Sequence, residues 1–147
     1  MSDDAMKVDE VVEGLLAVLP LQARSAVHQT AVASSLSGLQ FQGVAEQIWG
    51  FAQLELRDLR LLTAKLVALG GQPDGAAAEY PPVKDPEGAL DDLITAEEQV
   101  IRDLHALIEK TGEEPRSEAM EHLLEHALQR KQEQVDWLRR ALGASAA

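Results

Sequence analysis

Three charged side chains interrupt apolar helical stripes in this sequence. Glu55 interrupts one stripe, Glu97 a second and Lys131 a third. Residues three and four positions apart share one face of a helix, so each charge is expected to face the same core as its apolar neighbours. A charge inside a core requires a partner of opposite sign, which is either another side chain or a bound ion. Two carboxylates and one amine therefore predict a buried ion pair or a cation site.

Three histidines offer further candidate ligands. His122 and His126 are one helical turn apart, a spacing that lets two imidazoles share one metal ion. The neighbouring Glu121 and Glu125 are instead typical of an exposed helix surface, so both interpretations stay open. His28 follows a stretch that contains no acidic residue, and it is either a substitute ligand or a half-buried, hydrogen-bonded side chain.

Composition restricts both the fold and the partners. A chain of 147 residues that is 46% hydrophobic is long enough for one domain with a single core. Only 3% of the residues are aromatic, while Ala, Leu, Glu and Gln are abundant, which favours an all-α fold. A net charge of −12 argues against nucleic acid and anionic membrane surfaces as partners. The absence of cysteine excludes thiolate metal sites.

Other functional classes lack their sequence signals. The chain contains no Gly-x-Ser-x-Gly turn, no phosphate-binding glycine loop and no His-Glu-x-x-His motif, so hydrolase and nucleotide-binding functions have no support. The acidic N-terminus is unlike a signal peptide, and no apolar segment is long enough to span a membrane. We therefore expect a cytoplasmic protein.

Apolar periodicity predicts four helices in one domain with a core at about 7–142 and a flexible tail at 143–147. Pro20 lies inside the first periodic segment and predicts either a kink or a helix that begins near Leu19. Gly70 and Gly71 close the second helix, and Asp85 is the predicted N-cap of the third. The predicted helices run from about Lys7 to Ser34, Phe41 to Leu69, Pro86 to Lys110, and Pro115 or Ser117 to Leu142.

The segment between the second and third helices is unusually long for a helix hairpin. Residues 72–85 contain three prolines and one glycine, which is typical of a loop. A loop of this length can cross the whole bundle. It predicts a four-helix bundle with one long crossover between helices 2 and 3, rather than a simple up-down-up-down arrangement.

Several segments together resemble the ferritin-like superfamily of the bacterioferritin and rubrerythrin type, from about Lys7 to Leu142. The second helix ends in Leu-Gly-Gly-Gln-Pro, similar to the turn that closes the second helix there. The segment 134–138, Gln-Val-Asp-Trp-Leu, resembles the His-x-Asp-Trp-Leu segment of the fourth helix. Glu97 resembles the third-helix glutamate. The resemblance implies a ferritin-like four-helix bundle.

The same resemblance implies a di-iron site that this chain alters. The family takes one glutamate from each of two helices and Glu-x-x-His from each of the other two. Here the matching positions make Glu55, Asp58 and Glu97 candidate ligands for Fe or another divalent metal. At the other positions the family's ligand is replaced, which neutralises the site. Lys131 stands where the family has a glutamate, Gln134 where it has a histidine, and Leu19 or Gln22 where it has the first-helix glutamate.

Three functions remain open from the sequence. The first is a divergent ferritin-like protein with an incomplete di-metal site, which is a structural or binding protein, forms homo-oligomers and has no ferroxidase activity. For it we expect no cofactor and no enzymatic activity, with Lys131 forming a salt bridge to Glu55 or Glu97. Leu54 and Leu61, together with Trp49, would suit a dimer contact. The second is an iron-binding protein or oxidase that uses Glu55, Asp58 and Glu97; the third is a helical adaptor for a protein partner.

Overall fold

The computed structural model describes residues 5–143 of the chain. Within that range it contains four long helices and no β-strand, so the predicted all-α fold is confirmed. Residues 144–147, most of the predicted flexible tail, lie outside the described residues. The helices are α1 (Val8–Ser35), α2 (Gln42–Ala68), α3 (Pro86–Ile108) and α4 (Pro115–Ala141), with one 3-10 turn (Leu39–Phe41) between α1 and α2.

The first helix runs without a break through Pro20, so the predicted start near Leu19 is wrong. Proline removes one backbone hydrogen bond from a helix interior. Buried side chains on both sides of Pro20, including Val11, Leu15 and Val32, hold the two halves in one packed helix. Tertiary packing therefore outweighs the local cost of the proline.

The helix ends follow the predicted signals closely. At the end of α2 the Gly71 N–H donates to the carbonyl of Leu66, and the Gly70 N–H donates to that of Val67. This pair of bonds is a Schellman motif, and Gly70 supplies its positive φ of 89°. At the start of α3 the Asp85 carboxylate accepts a hydrogen bond from the Gly88 N–H at 2.9 Å, as an N-cap should.

Residues 69–85 connect two parallel helices and therefore travel the length of the bundle. The C-terminal halves of α2 and α3 share one apolar cluster, and their N-terminal halves share another. Parallel neighbours cannot be joined by a tight turn, which explains the long crossover. The Ala78 N–H in this crossover donates to the carbonyl of Pro20 at 2.9 Å and fastens the loop to α1.

The core consists of two apolar clusters separated by a polar layer. One cluster includes Val11, Leu15, Leu62, Leu66, Leu104 and Leu124, and the other includes Val32, Ile48, Phe51, Leu90, Leu93 and Leu138. Buried polar side chains from all four helices lie between them: Gln22, Ser25, Gln29, Glu55, Asp58, Glu97, Lys131 and Gln134. The candidate site is this layer.

None of the helices in residues 5–143 combines the length and the apolar character that a membrane crossing requires.

Candidate functional site at the centre of the bundle

Lys131 of α4 occupies the middle of the polar layer and is fully buried. Its Nζ donates to Glu55 Oε2 of α2 at 2.8 Å and to Glu97 Oε2 of α3 at 2.7 Å. A third hydrogen bond, of 3.0 Å, runs to the Ser25 hydroxyl of α1. One ammonium group thus contacts all three other helices, and its three protons match three acceptors.

The first helix contributes a neutral amide beside this ammonium. Gln22 Nε2 donates to Glu55 Oε2 at 2.6 Å and to the Glu55 backbone carbonyl at 2.9 Å. Leu19, the other residue considered for this position, instead packs in an apolar cluster. Gln22 therefore supplies a hydrogen-bond donor where a metal site would require a negatively charged acceptor.

The electrostatics of the layer keep Lys131 charged. Burial opposes the charge, but Glu97 and Glu55 together outweigh it and raise the pKa of Lys131 above its ordinary value. A lysine that is already protonated in water at neutral pH therefore stays an ammonium ion here. Because its two carboxylate partners are also buried, these charge-assisted hydrogen bonds are little screened by water.

Lys131, Glu55 and Glu97 form a triad that contains one carboxylate more than it has cations. Burial is the largest influence on its pKa and raises it, Lys131 opposes this, and the Glu97 carboxylate adds to it. The pKa of Glu55 ends above its ordinary value. A raised pKa favours the protonated carboxyl, which reduces the charge that two carboxylates and one ammonium would otherwise leave inside the core.

The structure separates Asp58 from the other two acids. Its carboxylate pairs with Arg130 of α4, which donates from Nε at 2.9 Å and also from Nη2. Arg130 was not predicted from the sequence, although a signal exists: Arg130 is adjacent to Lys131 on α4, and Asp58 lies nearly one turn after Glu55 on α2. Two cations on α4 therefore pair with two acids on α2: Lys131 with Glu55, and Arg130 with Asp58.

Gln134 lies one turn beyond Lys131 in the same layer. Its Oε1 accepts a hydrogen bond from Gln29 Nε2 of α1 at 3.1 Å. The Gln29 partner was also missed from the sequence, because an isolated glutamine in an apolar stripe does not indicate which residue it contacts. This amide pair extends the polar layer but brings no further charge to it.

His28, His122 and His126 take no part in the hydrogen bonds of this centre. His28 is buried and stacks on Tyr80 of the crossover, with ring centroids 4.6 Å apart. Its Nδ1 has no hydrogen-bond partner among residues 5–143. His122 and His126 are both exposed on α4, and the nearest acid to His122 is Glu125 at 3.9 Å.

The donor set as arranged does not fit a pair of metal ions. Within residues 5–143, no three histidine, aspartate or glutamate side chains converge in a way that would hold a metal. The ammonium of Lys131 stands between Glu55 and Glu97, and Arg130 occupies both oxygens of Asp58. Three carboxylates balanced by two fixed cations leave a single negative charge, far less than two divalent ions require.

Comparisons with solved structures relate the whole fold to known bundles. The chain is similar to ferritin-like, diiron-carboxylate proteins from Bacillus anthracis strain Ames, with a TM-score of 0.86, 21% identity, and coverage of 97% of this chain and 100% of that one. It is also similar to BfrA from M. tuberculosis, with a TM-score of 0.78, 17% identity, and coverage of 88% and 81%. At such identities the likeness shows a shared fold.

Sequence comparison gives a consistent result. No curated protein matches the chain significantly. A family model described as a ferritin-like domain matches residues 13–145, which include the four helices almost completely. The predicted resemblance is therefore confirmed, and the chain belongs to the ferritin-like domain family.

Proposed function

We propose that this chain is a ferritin-like protein whose centre holds a lysine ammonium in place of metal ions, and that it acts as a structural or binding protein without ferroxidase activity. The observation that carries the proposal is the position of Lys131 Nζ, 2.8 Å from Glu55 and 2.7 Å from Glu97. A metal ion bridging these carboxylates would need the same oxygens and the same space. Metal binding would therefore require the buried ammonium to leave.

The charge balance of the polar layer also supports the absence of ferroxidase activity. A two-metal site works by holding two ions side by side with ligands that offset their charge. Here Lys131 and Arg130 already neutralise most of the charge on Glu55, Asp58 and Glu97. The remaining groups, Gln22 and Gln134, are uncharged and hydrogen-bonded within the protein.

The alternative is an iron-binding protein or oxidase that uses Glu55, Asp58 and Glu97 as ligands. All three acids are buried in one polar layer, which is the observation in its favour. For this function Lys131 and Arg130 would both have to withdraw from their carboxylates. The two functions therefore differ in measurable metal content.

The deciding experiment measures metal by mass spectrometry in purified protein and then follows Fe(II) oxidation in air at neutral pH. We expect no stoichiometric metal and no oxidation above the protein-free rate. Roughly two irons per chain with rapid turnover would contradict the proposal. A His122→Gln/His126→Gln variant measured in parallel removes any surface binding by the exposed imidazoles.

Lys131→Glu is the matched comparison, because it restores a carboxylate at the position where the family has one. We expect this variant either to gain affinity for divalent cations, tested by titration with Mn(II), or to lose stability because the added buried carboxylate has no counter-charge. Unchanged metal affinity together with unchanged stability would count against the central role of Lys131.

A self-association surface is part of this proposed function. Two adjoining grooves, of about 410 Å³ and 730 Å³, follow the outer side of α1 and α2 and share Gln53 and Leu56 in their linings. Trp49, Leu56 and Val27 there are 44%, 60% and 49% exposed. Among residues 5–143, these linings contain no aspartate or glutamate, although the chain carries 25 acidic residues.

This pattern fits a second copy of the same chain. Two molecules with a net charge of −12 repel each other, and the repulsion is smallest across a face without acids. Of the residues expected from the sequence to suit a dimer contact, Trp49 belongs to this face, whereas Leu54 lines a different groove beside Trp137. Leu61, seven residues after Leu54, lies on the same side of α2 as Leu54.

Light scattering coupled to gel filtration tests the assembly. We expect a molar mass at least twice the 15.9 kDa of one chain over the micromolar range. A monomer throughout that range would contradict self-association while leaving the proposal about the metal-free centre intact.

A further inference from the structure

A third groove, of about 340 Å³, lies between α2 and α4, at the outer edge of the polar layer and apart from the α1–α2 face. It is more polar than the grooves described above. Its lining combines two arginines, one acid, two amides and three apolar side chains: Arg130, Arg140, Glu133, Gln47, Gln134, Phe51, Leu54 and Trp137.

The cations of this groove are not equivalent. Arg130 directs Nε and Nη2 at Asp58, so its charge is already paired with a buried carboxylate. Arg140 is exposed and forms no ion pair within residues 5–143. A free guanidinium beside an apolar wall binds a carboxylate well, because its planar donors match the two oxygens.

A second, independent feature also points to a ligand. Gln134 is 2% exposed and lines the groove, and its Oε1 accepts from Gln29. Its Nε2 has no hydrogen-bond partner among the described residues. A buried amide donor without a partner is unfavourable, so a rotation of the Gln134 amide that brings Nε2 to an acceptor atom in the groove would be stabilising.

The apolar wall of the groove is built from aromatic rings. Phe51 and Trp137 pack edge to face, with centroids 5.5 Å apart and planes at 86°. Leu54, 39% exposed, extends this wall toward solvent. Rings fixed by such packing offer a preformed surface to a flat apolar group.

We infer that this groove is a binding site for a small organic monocarboxylate with a flat apolar body, whose carboxylate is held by Arg140 and the Gln134 amide and whose body lies against Trp137. Glu133 in the same lining would repel a second negative charge, which favours monoanions over dianions. The site does not depend on the proposed function, because no residue of the Lys131 triad lines it.

Benzoate is the probe, and Trp137 fluorescence reports its binding. The chain has two tryptophans, so the measurement uses a Trp49→Phe background in which Trp137 is the remaining one. We expect saturable quenching by benzoate. Benzylamine and benzyl alcohol, which share the ring but lack the carboxylate, should cause none.

Three variants make the test specific. Arg140→Gln should weaken benzoate binding about tenfold or more, since it removes a charge-assisted bond. Arg139→Gln is the matched control, because Arg139 is the adjacent exposed arginine and is paired with Glu98 outside the groove. Glu133→Gln should strengthen binding by removing the repelling charge.

Two results would overturn the inference. One is quenching that does not saturate or is equal for benzoate and benzylamine. The other is an equal loss of affinity in the Arg139→Gln and Arg140→Gln variants, which would show a general charge effect. Since Arg139, Arg140 and Glu133 are exposed, these variants keep the fold, and circular dichroism verifies it.

Discussion

At the scale of single residues, Lys131 is the side chain with the largest expected effect on stability. Replacing it by methionine, which has a similar volume, leaves Glu55 and Glu97 buried without a counter-charge. We expect the free energy of unfolding to fall by about 3–5 kcal/mol, measured by urea denaturation. Adding Glu55→Gln and Glu97→Gln to Lys131→Met should recover much of that loss, because the buried charges are then gone. A single variant as stable as the wild type would contradict the ion-pair geometry.

Burial of His28 should make the stability of the protein depend on pH. Burial is the largest influence on its pKa and lowers it, Arg24 lowers it further, and Glu97 and Asp92 oppose them. The folded protein therefore binds this proton less readily than the unfolded chain does. The stabilisation is fully present above the ordinary pKa of 6.5 and is lost as the pH falls below it.

The measurement is the difference in unfolding free energy between the wild type and His28→Gln from pH 8 to pH 5. We expect the wild type to lose more stability than the variant as the pH falls, because only the wild type must charge a buried imidazole. The raised pKa of Glu55 acts in the opposite direction but is common to both proteins, so it cancels. His105→Gln, at an exposed histidine, should follow the wild type. Parallel curves for wild type and His28→Gln would refute the prediction.

At the scale of elements, the end of α2 depends on one backbone conformation. Gly70 has φ of 89°, a backbone conformation that is strained for any residue with a Cβ atom. Gly70→Ala should therefore destabilise the protein by about 1 kcal/mol. Gly50→Ala is the control inside the same helix, where a Cβ meets no atom within 4 Å. It should stabilise by about 0.5–1 kcal/mol, because alanine is the better helix former. Thermal unfolding checks the prediction: the melting temperature should fall for Gly70→Ala and rise for Gly50→Ala.

How far the sequence predicts these elements depends on the kind of signal. Asp85 and the Gly70–Gly71 pair mark helix ends by local chemistry, which is why those ends were predictable. The inward orientation of Glu55, Glu97 and Lys131 follows from helical spacing alone. The pairing of Arg130 with Asp58 does not, because it depends on how α2 and α4 are rotated relative to each other. The same limit applies to Gln29 and Gln134, whose contact is set by tertiary packing.

At the scale of the whole molecule, self-association should depend on the acid-free face of α1 and α2. Leu56→Glu places a charge at the residue shared by both grooves and should shift the molar mass toward the monomer. Leu54→Glu is the matched control, since it is also exposed on α2 but lines the groove toward α4. Light scattering on both variants separates the two faces. Dissociation by Leu54→Glu alone would place the contact on the other side.

The polar layer between the two apolar clusters also has a mechanical consequence. A helix packed only by leucines can slide along its neighbours by one turn, about 5.4 Å, and still find apolar partners. With Lys131 bonded to α1, α2 and α3 at a single level, such a slip would place an ammonium ion opposite hydrocarbon and leave two carboxylates stranded. The layer therefore fixes the axial register of all four helices, a task that bound ions would otherwise perform.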